Sequence, residues 1–278
     1  MMIFNNRKIL IATQHQKEKV IAPIIESLGL TCFSNSLFDT DELGTFSGEI
    51  ERKNPARLTV KEKCLKSMEL HGFSLGIANE GSFGPHPMGF FQSNEEIIVF
   101  IDIENQLEIY ASHLSFDTNF NAKTISNFQE LKEFAINSQF PSHGLIIRES
   151  KEQYAKVNKG INSWEVLEEK FKELMQNNSS CYIETDMRAM YNPTRMKNIE
   201  IVTKKLLDKI NSLCPSCQTP GFSIVNSNLG LPCAQCGLPT NSVLNHEYQC
   251  IKCTFSEIKQ PINQKLSEDP MYCNFCNP

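Results

Sequence analysis

The chain has 278 residues, of which 40% are hydrophobic and 21% charged, and a net charge of −5. This is a globular composition, and the length suffices for one large domain plus a small one. The acid excess excludes a general nucleic-acid clamp, which carries a basic stripe, but leaves room for a local basic pocket. The opening MMIFNNRKILIATQHQ has no cleavage pattern, and no run of about 18 apolar residues occurs. A soluble cytoplasmic protein with no membrane contact is the expectation.

RKILIAT (7–13) reads as a buried strand, and QKEKVIAPIIESLG as a helix stopped by Gly29. LTCF is a second strand. PARLTVKEKCLKSMELHG opens on Pro55, has helical spacing and stops at Gly72. FSLGIAN (73–79) is a further buried strand, broken by the glycine- and proline-rich loop EGSFGPHPMG. EEIIVFIDIENQLEIYASHLSF reads as a hairpin turning near Glu104-Asn105-Gln106. A helix over 125–138, a strand over 144–149 and helices over 161–177 and 195–212 follow. Alternating strands and helices indicate an α/β domain, a mixed sheet flanked by helices, over 1–205.

The remainder, 206–278, carries four CxxC pairs: Cys214/Cys217, Cys233/Cys236, Cys250/Cys253 and Cys273/Cys276. Each pair puts two thiolates on one tight turn, and two turns close a tetrahedral Zn²⁺ site. Eight ligands imply two structural zinc ions in a ribbon, with three pairings of the knuckles open. His246 is a bystander beside eight thiolates. From 211 onward there are three lysines and no arginine against three glutamates and one aspartate. Nucleic acid needs the opposite balance, so scaffolding or docking of a protein partner is the expected role.

Asp39, Asp41, Glu49 and Glu51 surround Gly44-Thr45-Phe46, and Glu80 follows the strand at 73–79. Brought together, they would hold Mg²⁺ or Mn²⁺, hard cations that prefer oxygen ligands. Lys17, Arg52, Lys63, Arg188 and Arg195 would meet the phosphates of a phosphorylated small molecule. The competing readings are a solvated acidic loop and, for ETDMRAMYNPTRM (184–196), a structural ion-pair network. His15 stands at a strand-to-helix turn, where amides favour anions. His86, between two prolines, is either a general acid/base or structural. Cys32, Cys64 and Cys181 read as core residues.

Taken together, IATQHQKEKVIAPIIESLGL, DTDELGTFSGEIER, ANEGSFGPHP, ETDMRAMYNPTRM and the terminal knuckles resemble an uncharacterised bacterial family catalogued as a domain of unknown function. That resemblance carries no activity. Residues 9–83 more remotely resemble the opening of the inosine triphosphate pyrophosphatase and Maf superfamily. The matching positions are Thr13 with Lys17 or Lys19, Thr45-Phe46 after Glu42, Lys63-Cys64 leading to His71-Gly72, and Ala78 to Phe83. Only Glu80 stands where that superfamily has two carboxylates. The resemblance implies Mg²⁺-dependent hydrolysis of a nucleotide-like substrate; from the residues themselves, Glu80, Asp39, Asp41, Glu49 and His86 are the catalytic candidates. Thr13, His15, Lys17, Arg52, Lys63, Arg188 and Arg195 are the substrate-binding candidates. The alternative function is a non-catalytic binding module for an anionic ligand.

Overall fold

The computed structural model describes residues 3–34, 54–89 and 91–278. Asp39, Asp41, Glu42, Glu49, Glu51, Arg52 and the Thr45-Phe46 motif therefore lie outside the described residues. The chain divides into two compact units, Met1–Leu207 and Asp208–Pro278.

The first unit is mixed α/β and contains two sheets. One has five strands in the order β2-β1-β3-β4-β5: β1 (Lys8–Ala12), β2 (Thr31–Ser34), β3 (Leu75–Pro85), β4 (Gln92–Asp102) and β5 (Leu107–Ser115). β1 pairs in parallel with β2 and β3, and the β3-β4-β5 meander is antiparallel. α1 (Glu18–Ile25) and a short 3₁₀ turn connect β1 to β2, ending on left-handed Gly29. α2 (Ala56–His71) starts after Pro55 and stops where Gly72 turns left-handed. There the Phe73 amide reaches back to the Met68 carbonyl, satisfying a helix-end acceptor.

The buried stripe of α2 has helical spacing but is half polar. Val60, Cys64 and Met68 pack against Leu10, Ala12, Ala78 and Val99, while Thr59, Lys63 and Ser67 are buried beside them. Each apolar member contributes about 1.5–3 kcal/mol of burial. The polar members are explained by the site below.

The second sheet, β6-β9-β7-β8, is antiparallel: β6 (Ala122–Ile125), β7 (Leu145–Arg148), β8 (Asn158–Ile161) and β9 (Cys181–Thr185). α3 (Phe128–Asn137) and α4 (Trp164–Met175) pack on it through Leu131, Phe134, Leu167 and Phe171. Asn127 and Ser163 cap these helices by accepting the Glu130 and Val166 amides. α5 (Pro193–Asn211) follows β9 through a 3₁₀ turn, Ala189–Tyr191.

One local expectation is corrected. The residues Glu80 to Pro85 are not a loop, because β3 runs on through them. Their partners are Gln92–Ile97 of β4, and long-range pairing outweighs the turn chemistry of the two glycines. Glu80 therefore lies within a strand, with a fixed facing.

The second unit is a ribbon of three antiparallel strands, β10 (Ser223–Leu229), β11 (Val243–Gln249) and β12 (Ser256–Lys259). Its apolar cluster is small, with Cys214, Phe222 and Cys250 packed by Tyr248. A unit with so small a core needs another source of stability.

Candidate functional site: a buried cation cluster and two four-cysteine centres

β1 ends at Ala12, opposite Ala78, while β3 continues past it. The Asn79 carbonyl is thus left without a strand partner on that side, and Lys17 Nζ donates to it at 3.0 Å. Lys17 is 2% exposed. Among the described residues no carboxylate lies within ion-pair distance of it. The turn leading there is tight: the His15 amide donates to Thr13 Oγ1 at 3.4 Å, and Gln16 takes a left-handed φ of 58°. A non-glycine residue held there is a mark of a constrained turn.

Strand alternation sends the residues of β3 to two faces. Glu80 faces α2, where Lys63 Nζ stands 3.5 Å from its carboxylate. Asn79, Gly81 and Phe83 face the other way. Gly81 is paired with Glu96 of β4, and a side chain at 81 would strike Arg195 and Glu96 at 2.6–3.0 Å. Glycine is required there for close approach rather than for an unusual φ.

Arg195, in the first turn of α5, meets Glu96 with Nε to Oε1 at 2.8 Å, and both side chains are fully buried. Its Nη1 donates to the Met187 carbonyl at 2.5 Å, and its guanidinium lies 5.1 Å from the Phe83 ring. Asn94 donates to Glu96 Oε1 at 3.1 Å. Burial alone would raise the Glu96 carboxyl, but Arg195 and then Lys17 overcome it and hold the group below its ordinary range. Arg188 comes from the same β9–α5 connection. Asp186, fully buried, accepts from its Nε, its Nη2 and its backbone amide, which fixes the guanidinium.

These pieces converge on His15. Burial first, then the charges of Lys17, Arg195, Lys63 and Arg188, push its imidazole down to about 2. The same burial, with Arg195 and Lys63, lowers Lys17 well below its ordinary value against the opposing pull of Glu96 and Glu80. The structure therefore gathers Thr13, His15, Lys17, Lys63, Glu80, Arg188 and Arg195 around the carboxyl end of β1, where open α/β sheets bind ligands. It does not bring His86 there. His86 lies six residues beyond Glu80, about 20 Å along an extended strand. Its Nδ1 accepts the Met88 amide and its backbone closes the hairpin tip with Phe91.

Glu96 and Asp186 are the members of the cluster that the motifs did not single out as site residues. The signal for Glu96 was strand alternation: Asn94, Glu96 and Ile98 face inward, while Glu95 between them is exposed.

In the second unit the eight cysteines form two groups, Cys214/Cys217/Cys250/Cys253 and Cys233/Cys236/Cys273/Cys276. The first knuckle joins the third, and the second joins the fourth. Across the knuckles, Cys214 and Cys253 are 3.6 Å apart, Cys217 and Cys250 3.6 Å, Cys236 and Cys273 3.7 Å, and Cys233 and Cys276 3.9 Å. Tetrahedral Zn–S bonds of about 2.3 Å place the sulfurs about 3.8 Å apart, whereas a disulfide needs about 2.05 Å. The four-thiolate sets thus fit Zn²⁺. His246 belongs to neither set; its Nδ1 lies 2.8 Å from Ser227 Oγ. Among the described residues no third group of metal ligands occurs, so Glu80 alone does not make an Mg²⁺ or Mn²⁺ centre. No described helix is long and apolar enough to cross a membrane.

A mixed α/β unit with a buried polar cluster, joined to a unit with two four-cysteine groups, defines the class of protein. The chain belongs to the family described as Domain of unknown function (DUF6671), whose model matches residues 63–278. The matched span holds Lys63, Glu80, Glu96, Arg188, Arg195 and all eight knuckle cysteines. No curated protein matches the chain.

Proposed function

We propose that the first unit recognises the phosphate of a phosphorylated small molecule at the Lys17–Arg195 cluster. The observation that carries this reading is the convergence of Lys17, Lys63, Arg188 and Arg195 on one histidine at the end of a parallel strand. Like charges held together away from water repel, and an arriving phosphate offsets that repulsion. Arg188, already oriented by Asp186, offers a planar fork, and Lys17 and Lys63 offer point charges.

Hydrolysis is the second reading, favoured by the position of Glu80 beside Lys63. There its carboxylate would take a proton from an attacking water. The similarity of residues 9–83 to the inosine triphosphate pyrophosphatase and Maf superfamily points the same way. In that reading Glu80 and carboxylates of the 39–51 segment would share Mg²⁺ or Mn²⁺, which would polarise the phosphate. For the ribbon, whose charge balance is acidic, we propose scaffolding or contact with a protein rather than nucleic acid. Reduced thiolate knuckles support a cytoplasmic setting.

Calorimetry with inorganic phosphate, and phosphate release from a panel of nucleoside triphosphates with Mg²⁺ or Mn²⁺, tests both readings. Binding lost in Lys17→Met supports recognition. Turnover lost in Glu80→Gln with binding retained supports hydrolysis. Undiminished phosphate binding by Lys17→Met would sink the recognition site.

A further inference from the structure

On the Glu80 face, α2 packs over the rows of β3 at Gly76 and Ala78. Lys63 of that helix meets Glu80, and Cys64 and Met68 lie over Gly76, so the helix runs antiparallel to β3. The next residues of β3 on this face are Ser82 and Gly84, and the register sets them beside Glu95 and Ser93 of β4, with Leu114 of β5 opposite Glu95. These residues line a cavity of about 330 Å³ that reaches His86. A second cavity of about 650 Å³ adjoins it, lined by His86, Met88, Phe91 and Phe116. His86 is common to both.

The two cavities differ in chemistry. The first offers the hydroxyls of Ser82 and Ser93 and the Glu95 carboxylate. The second is apolar, with the His86 ring edge-on to Phe116 at 5.3 Å and Phe91 at 6.3 Å from Phe116. Met88 is 81% exposed, Phe91 70% and Phe116 57%. Exposed apolar side chains gathered at one place mark a binding surface. Glu80 to Ser82, where the first cavity begins, is about 7 Å of strand and Glu80 to His86 about 20 Å, so one extended small molecule of about 20 Å would run from the cation cluster through the first cavity to the apolar one.

We infer that the ligand is amphipathic, with a phosphate held at the Lys17–Lys63 end and an apolar tail laid along β3 onto His86, Phe91 and Phe116. This rests on the phosphate-recognition reading above and deepens it. Cations at one end of a groove and aromatic side chains at the other complement an anionic head and an apolar tail. In this role His86 is a wall of the groove, not an acid or base.

The test is calorimetry below the micellar concentration with inorganic phosphate and with butyl, octyl and dodecyl phosphate. Dodecyl phosphate is expected to bind at least about 10-fold more tightly than butyl phosphate, since each buried methylene contributes up to about fourfold. Phe116→Ser, at an exposed position, removes that gain and leaves inorganic phosphate binding unchanged. Lys17→Met weakens every member of the series. Equal affinities along the series, or an undisturbed gain in Phe116→Ser, would overturn the amphipathic ligand while phosphate recognition stands. Dodecyl phosphate binding that survives Lys17→Met but not Phe116→Ser would mean an independent apolar site, overturning the continuous groove. No binding of inorganic phosphate to the unaltered protein would remove the reading on which the inference rests.

Discussion

Arg195 and Glu96, 99 residues apart in sequence, form a fully buried ion pair at 2.8 Å that ties the start of α5 to the middle of β4. The pair forms one side of the cation cluster. Arg195→Ala strands the Glu96 carboxylate in the interior, and is expected to cost about 3–5 kcal/mol in urea unfolding. A loss below about 1 kcal/mol would show that the pair does not hold α5 against β4.

Gly81→Ala probes the same contact by volume. The added methyl meets Arg195 Nη2 and the Glu96 carboxylate at 2.6–3.0 Å. Overpacking of this kind costs about 1–3 kcal/mol, and phosphate affinity should fall with it because Arg195 is displaced. Retained stability and affinity would mean that the strands part more easily than the register implies.

Lys17 should behave in the opposite sense. Its ammonium is buried beside Arg195 and Lys63, and its folded-state pKa is lowered, so the charged form opposes folding. Lys17→Met is expected to keep or raise the melting temperature while phosphate affinity falls at least about 10-fold, a change of about 1.4 kcal/mol. A marked drop in melting temperature would show that its bond to the Asn79 carbonyl outweighs the repulsion.

The pH dependence follows from His15. Its pKa is about 2 in the folded chain, below the ordinary histidine value. The unfolded chain therefore binds the extra proton, and the stability tied to neutral His15 is complete above pH about 6.5. It falls as the pH drops from there toward 2, by at most about 1.4 kcal/mol per pH unit. His15→Gln should flatten this slope between pH 6.5 and 5, as read from unfolding curves at each pH. An unchanged slope would assign the acid sensitivity to other groups.

For the ribbon, metal analysis should give two zinc ions per chain. A chelator that removes them should unfold the second unit, because its apolar cluster is too small to hold it. Cys276→Ser should lower the zinc content below two and also weaken the Cys214 site, since β10 and β11 run between the two centres. Retention of one full-affinity zinc with an intact ribbon signal in circular dichroism would show that the centres are independent.

Much of this was legible in local signals. Pro55 and Gly72 bracket α2, Gly29 closes the turn after α1, and the CxxC spacing announces metal. The β3 extension was hidden because Gly81-Ser82-Phe83-Gly84-Pro85 has the composition of a turn. Only pairing with a strand that had yet to be placed makes it β. The two separate sheets were hidden for the same reason, since β6, β8 and β9 are short and carry weak patterns. The cation cluster was readable as residue types and not as a place. Lys17, Lys63 and Arg195 come from the start of α1, from α2 and from α5, and only tertiary packing says that they meet. His86 shows the converse: a short sequence distance from Glu80 became a long spatial one once the intervening residues were extended.

The alternating order of the knuckles has a consequence for proteolysis. The partner of Cys233 and Cys236 is the last CxxC of the chain, with the complete Cys214 group closing before it. A cut anywhere between Cys253 and Cys273 thus does not shed a dispensable tail. It leaves two thiols on a tight turn in the middle of the ribbon, stripped of their partners and open to oxidation. A nick between Cys253 and Cys273 damages the Cys233 centre as well, and the integrity of Cys273 and Cys276 becomes a sensitive reporter of the whole unit.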